Sequence, residues 1–289
     1  MGSGHSVLSS SVRRGVGFVA STALVVAAAF TITAAPASAD TAPVDPNDAS
    51  NPTTVTADGL PTAQMDGVAW SQAIAGNTVY VGGLFTHARP AGVAVGGAGE
   101  VVRNNLMAYT LSTGQLVSSF APDVNAQIRT VATSPDGTRV YVGGDFTTID
   151  GVARSRIAAF NAQTGALIST FAPPVNYNVY SIAATNSTVY VGGDFQGVGT
   201  HDRHYMAAFN ASNGALLDWA PDAEGGRVWA LAISPDGTKV AVGGQFTTLN
   251  GSSNPGLNVD VRGKTEAVYI RHFPGIWSYI VAYAGPENV

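Results

Sequence analysis

The chain is predicted to be all-β, a β-propeller of four-stranded antiparallel blades, on three observations. A Gly-Gly pair recurs at Gly82, Gly143, Gly192 and Gly243, at intervals of 61, 49 and 51 residues. A period near fifty marks a repeat architecture. The heptapeptide VYVGGDF reads identically from Val140 to Phe146 and from Val189 to Phe195. Charged residues make up 11% of the chain while glycine counts 34 and proline 15, a profile of many short strands joined by tight turns.

The second unit shows the pattern of a blade most fully. IRTVATS leads through the turn PDGT into RVYVGGDFTTI, and after a loop SRIAAFNA leads through QTG into ALISTFAP. Strand, turn, strand, loop, strand, turn, strand is an antiparallel meander. The third unit repeats it with VYSIAAT, TVYVGGDF, HYMAAFNA and ALLDWAP, and the first with VAWSQAI, TVYVGGLF, NLMAYTL and QLVSSFAP. The extra length of the first unit is the glycine-rich ARPAGVAVGGAGE between its second and third strands, an insertion that leaves a sheet intact. A sheet of this size cannot bury both faces alone, and packing such sheets face to face around an axis is the propeller solution. About four blades are visible, the last atypical or incomplete, because the pattern fails after VWALAISPDGTKVAVGGQFTTLNG.

The expected organisation is therefore a signal peptide at 1–39, a flexible linker at 40–52, propeller repeats at 53–251 and an atypical segment at 252–289. In the leader, Arg13 and Arg14 precede the apolar run GVGFVASTALVVAAAFTITAA and then APASA, with Ala37 and Ala39 placed for signal peptidase. The run approaches the ~20 residues of a bilayer span, but Pro36 and the small-residue exit favour processing. DTAPVDPNDASN has linker composition. In the tail, YIVAY near Ile280 is a candidate third strand of the last blade, and TTVTADGLP (53–61) a candidate outer strand joining the two ends of the chain. An unpaired edge would otherwise invite association.

Composition excludes some functions. Without the two leader arginines the chain has 12 basic against 19 acidic side chains, an acidic balance that argues against nucleic acid as a partner. There is no cysteine, hence no disulfide, thiolate nucleophile or cysteine metal site. No GxSxG, HExxH or CxxC pattern is present. GGDF resembles the signature of enzymes that make cyclic dinucleotides, but those use one copy in a cytoplasmic α/β domain, and a phosphate-cradling loop needs a helix after it. The glycines are read instead as marking a bulge or a close backbone approach.

Two sets of residues stand out. Asp145 and Asp194 follow the glycines, with Arg154 and Arg203 nine residues further on. These structural repeat positions are expected to pair, tying the second and third strands of a blade. Leu84 and Gln245 replace the acid in the outer units although Arg103 persists. Where the repeats disagree, the first strands place Trp70, Arg129, Tyr180 and Trp229 at equivalent positions near the expected axis. Aromatic rings with an arginine make a candidate ligand platform for sugars, by stacking and hydrogen bonding, against the alternative that they pack between blades. THDRHY (200–205) carries His201, Asp202 and His204 but no fourth ligand, so no metal site is assigned. No cofactor and no catalytic residue are assigned.

Units such as VYVGGDFTTIDGVARSRIAAFNAQTGALISTFAP resemble the secreted actinobacterial β-propeller repeats of a domain-of-unknown-function family, over roughly Gly67 to Asn250. The resemblance implies the fold and an exported bacterial origin, and carries no catalytic residues. AFNASNGALLDW, around Phe209 to Trp219, is more weakly similar to quinone-cofactor propeller repeats, which form longer rings holding a metal at the cofactor. The expected function is a secreted, non-catalytic binding or scaffold module presenting a propeller face to glycan or extracellular protein, with no membrane contact after signal removal and with an oligomer open to it through a blade edge. The alternative is an extracellular enzyme, polysaccharide-active or quinone-dependent, with titratable groups converging at the channel.

Overall fold

The computed structural model describes residues 60–253 and the strand pieces Asn258–Val259, Thr265–Glu266 and Ala282–Ala284. The leader, the linker and most of the 53–61 and 252–289 segments lie outside the described residues. What is described is all-β, with antiparallel pairing throughout. Four sheets of three strands follow one another along the chain. They are Val68–Ala75, Thr78–Leu84 and Leu106–Thr110; Ile128–Thr133, Arg139–Gly144 and Ile157–Asn161; Val179–Ala184, Thr188–Gly193 and Met206–Asn210; and Val228–Ile233, Val240–Gly244 and Ala282–Ala284. In each the second strand is central.

The fourth strand expected in each unit is reduced to one bridge: Tyr109 with Leu116, Phe160 with Leu167 and Phe209 with Leu216. The chain reverses through Gly114, Gly165 or Gly214, all with φ near +70°, a conformation glycine adopts without steric cost. It then curls again, with the Phe120 N–H donating to Val117 O and the Phe171 N–H to Ile168 O. This second turn lifts the FAP segment off the ladder and drops its aromatic ring inward. Phe120 and Phe171 become fully buried rather than strand residues.

That ring is a wedge between successive units. Phe120 meets Tyr80 of its own unit and Phe160 of the next, edge to face at 5.1 and 5.6 Å. Tyr141 and Phe171 lie 5.3 Å apart, and Tyr190 and Trp219 5.1 Å. Three of the four apolar cores accordingly fall between units, and the fourth, with Val79, Val81, Phe85 and Met107, lies within the first. One holds Tyr80 and Leu106 of the first with Val131, Val142 and Phe146 of the second. Another holds Tyr141, Ile157 and Phe171 of the second with Ile182, Val191 and Phe195 of the third. A third holds Tyr190 and Met206 of the third with Val228, Val242 and Phe246 of the fourth.

Each glycine of the pair has its own task. A Cβ on Gly82 would collide with Ile128 and Val131 of the next unit, one on Gly143 with Val179 and Ile182, and one on Gly192 with Val228 and Leu231. The first glycine is thus the slot that seats the next unit's first strand. A Cβ on the second glycine, Gly83, Gly144, Gly193 or Gly244, would meet a backbone carbonyl at the entry to its own unit's first strand, that of Val68, Gln127, Asn178 or Arg227. A hydroxyl completes the seam: Ser71 Oγ accepts from the Val131 N–H at 2.9 Å, Thr130 Oγ1 from Ile182 N–H at 3.2 Å, and Ser181 Oγ from Leu231 N–H at 2.9 Å. Ala230 holds that position in the fourth unit.

The loop between second and third strands forms a short ribbon, Thr148–Ile149 with Val152–Ala153 in the second unit and Gly197–Val198 with His201–Asp202 in the third. Asp150-Gly151 and Asn250-Gly251 take positive φ at both residues, as the tight hairpin turn demands.

Two substitutions test the seam. Gly143→Ala is expected to lower stability by about 1–3 kcal/mol through overpacking, and Ser181→Ala by about 1–3 kcal/mol through the orphaned Leu231 N–H, both read from urea unfolding at constant m-value.

Candidate functional site

The site grows from an irregularity in the first strands. Pairing slips between Ala69 and Ser71, between Ile128 and Thr130, between Val179 and Ser181, and between Val228 and Ala230. The residue left over in each bulge is Trp70, Arg129, Tyr180 or Trp229. The four positions expected to be equivalent are therefore the same structural position, set opposite the Gly-Gly pair, where no facing side chain competes for space. A bulge re-aims its extra side chain out of the regular ladder.

Three of the four come together. The Arg129 guanidinium lies over the Tyr180 ring at 5.0 Å, and Tyr180 stacks on Trp229 with centroids 4.6 Å apart and planes at 19°. Arg227 adds a second cation, 5.3 Å from the Trp229 ring. Such contacts contribute roughly 0.5–1.5 kcal/mol each. Tyr180 sits between Arg129 and Trp229, so its faces are occupied. The rings that remain open are Trp229, 38% exposed, and Trp70, 56% exposed. Trp70 shares the bulge position, but among the described residues no ring or guanidinium stacks on it.

The expected carboxylate pairing is corrected. Asp145 does not bind Arg154; it receives two hydrogen bonds from Arg129, Nε to Oδ1 at 2.7 Å and Nη2 to Oδ2 at 2.8 Å. The hydrogen bond to Asp145 raises the Arg129 pKa above its ordinary value. Asp194 does not bind Arg203; its Oδ2 receives Arg227 Nη2 of the following unit at 3.3 Å and the Tyr180 hydroxyl at 3.5 Å. The bulge brings residue 129 beside residue 145, whereas a straight strand would not.

Arg154 and Arg203 have another role, shared with Arg103. Their guanidinium groups donate to backbone carbonyls: Arg103 to Val102 and Ser118, Arg154 to Ala153 and Ile168, Arg203 to Asp202 and Leu217. Each ties the loop ribbon to the segment after the third strand, with no carboxylate needed. This explains why Arg103 persists where Leu84 replaces the acid. Burial lowers the pKa of Arg103 and Arg154.

One repeated device escaped the sequence reading. The side-chain oxygen of Asp66, Asn125 or Asn176 accepts two successive backbone N–H groups of the loop after the glycines: Thr86 and His87, Thr147 and Thr148, Gln196 and Gly197. The recurrence of Asp or Asn two or three residues before the first strand of the first three units is its only sequence signal; the fourth has Gly225 and Gly226 there. Beside Asn176 lies an open depression of about 350 Å³ lined by Asn176, Tyr177, Asp194 and Gln196. Asp194 joins this depression to the stacked row.

In THDRHY, His204 Nδ1 lies 2.6 Å from Asp222 Oδ1 and His201 is exposed. Among the described residues no group of three or more His, Asp or Glu is placed to hold a metal ion.

No family model matches the chain, and no curated protein matches its sequence. Among solved structures it is similar to the computationally designed Ika4 protein, with TM-score 0.40 and 14% identity over 71% of this chain and 93% of that one. It is also similar to the RRP9 WD40 repeats, with TM-score 0.43 and 14% identity over 65% of this chain and 50% of that one. At this level neither likeness bears on what the chain does.

Asp66 generates a prediction about acid. Burial raises its pKa, but hydrogen bonds from the Thr86 hydroxyl and the Thr86 and His87 N–H groups outweigh it and hold the carboxyl well below the usual carboxylate range. A depressed folded pKa stabilises above the unfolded value of ~3.9 and is lost as pH falls through the folded one. Asp66→Asn keeps the acceptor, as Asn125 and Asn176 do, and removes the titration. The variant is expected to show a shallower loss of stability than the parent below about pH 4 in urea titrations at stepped pH.

Proposed function

We propose that the chain is a secreted, non-catalytic binding module of the β-propeller type, whose ligand surface is the row of bulge residues Trp70, Arg129, Tyr180 and Trp229, and that its ligand is a glycan. The observation that carries the reading is the bulge row itself. At one structural position the repeat abandons its consensus and sets large planar and cationic side chains toward solvent, where they contribute no buried core. In a repeat protein the residues that hold the fold recur and those that serve a ligand differ.

Electrostatics supports binding rather than catalysis. Acid–base chemistry on a sugar needs two carboxyl groups free to exchange protons. Asp145 and Asp194 are each committed to an arginine, which suits rigid presentation of a surface. The propeller reading is supported by four sheets of one design, the second, third and fourth each seated in the slot of the one before it, with a core between each adjoining pair. Export rests on the leader at 1–39, and the bacterial origin on the repeat resemblance.

The test is an array of soluble polysaccharides and oligosaccharides probed with the purified protein. Binding is expected, and Trp229→Ala is expected to weaken it at least about tenfold, the loss typical of an aromatic hot spot, with Trp70→Ala weakening longer chains more than short ones. A folded protein that binds no glycan, or binds equally well in both variants, contradicts the reading.

A further inference from the structure

We propose that the depression beside Asp194 is a subsite for a single uncharged pyranose, held by Asn176, Asp194 and Gln196 with its C–H face on Tyr177; this rests on reading the adjoining row as a glycan-binding surface.

The first argument is where the third unit departs from its siblings. Three residues before each bulge residue the other units carry Gly67, Ala126 and Gly226, and the third carries Tyr177. Two residues after the Gly-Gly pair and its following residue, the others carry Thr86, Thr147 and Thr247, and the third carries Gln196. Both replacements are exposed, Tyr177 at 51%, so neither enlarges the core. Both stand on the rim of the depression. Asn176 and Asp194, its other walls, are the residue types that the second unit also uses, at Asn125 and Asp145. A common scaffold has thus been modified at two surface positions that face one space.

The second argument is the inventory of unspent polar atoms. Asn176 Oδ1 accepts from the Gln196 and Gly197 N–H groups, which fixes the amide and leaves its NH2 as donors. Asp194 Oδ2 receives Tyr180 and Arg227, which leaves Oδ1 as an acceptor. Gln196 Nε2 reaches Tyr205 Oη at 3.4 Å, which leaves Oε1 as a second acceptor. Each group is held by a partner before any ligand arrives, so little ordering entropy remains to be lost on binding.

Fixed donors and acceptors around an exposed aromatic face match the hydroxyls and apolar face of a sugar ring. The volume is within the range of small-molecule sites, about 300–1,000 Å³. Charge narrows the class. Arg227 compensates Asp194, so neither a cation nor an anion gains from charge alone. An uncharged polyol satisfies the site without leaving a buried charge unpaired.

The experiment is saturation-transfer difference NMR on the purified protein with methyl β-D-glucopyranoside, methyl α-D-mannopyranoside, methyl β-D-galactopyranoside and N-acetylglucosamine as probes, followed by titration calorimetry with any that respond. Tyr177→Ala and Gln196→Thr install residues that the second unit already tolerates at these positions, so both variants are expected to keep the parent Tm. Transfer to the ring C–H protons of at least one probe is expected, with affinity reduced at least about tenfold in Tyr177→Ala and severalfold in Gln196→Thr, and unchanged in His201→Ala. Polysaccharide binding lost in Trp229→Ala but intact in Tyr177→Ala sinks the subsite and leaves the binding face standing. Monosaccharide binding lost in Tyr177→Ala but intact in Trp229→Ala supports the subsite and removes the row from the ligand surface. No transfer from any of the four probes overturns the subsite.

Discussion

Everything described depends on how closely one unit approaches the next. The first strand of a unit lies in a slot whose floor is a glycine of the preceding sheet, and no side chain larger than hydrogen fits beneath Ile128, Val179 or Val228. That approach lets the Ser71, Thr130 and Ser181 hydroxyls reach the next strand's backbone. It also brings Phe120 against rings of both adjoining sheets. A sheet of three short strands has too little core of its own; here stability resides in the seams, as expected of arrays whose units contact only their neighbours.

The bulge row follows from the same motif. The second glycine faces a carbonyl at the entry to the first strand, two residues before the bulge residue, and the bulge turns one residue per unit out of the ladder. Fold and site therefore share a cause, and that residue is free to vary because the ladder does not use it. Arg129, Tyr180 and Trp229 occupy it in three successive units and form one stack, held at one end by Asp145 and flanked by the contact of Asp194 with Arg227. The surface is rigid because its charges are satisfied within the protein.

The repeat made much of this legible. Aligning the units on Gly-Gly was enough to place the all-β class, the first three strands of each unit and the equivalence of residues 70, 129, 180 and 229. Partners across space were not legible. Asp145 and Arg154 are nine residues apart in a repeated pattern, which suggests a pair, yet Arg154 turns toward carbonyls of its own unit while the bulge delivers Arg129 instead. Asp194 takes its arginine from the following unit, and no spacing within one repeat can show that. The FAP segment reads as strand because its residues are apolar, whereas its aromatic ring is needed between the sheets. Tyr177 and Gln196 lie nineteen residues apart in the sequence, and only the fold places them around one space.

The most direct test of the seam is amide hydrogen exchange resolved by NMR. Val131, Ile182 and Leu231 lie on first strands, and their N–H groups point to the preceding unit's hydroxyl rather than into their own ladder. Gln72 is the equivalent residue of the first unit, is exposed, and has no such hydroxyl before it among the described residues. Slow exchange is expected at the first three amides and fast exchange at Gln72. Equal rates at all four would mean that the units are not seated on one another through the glycine slots, and the structural basis of the site would fall with them.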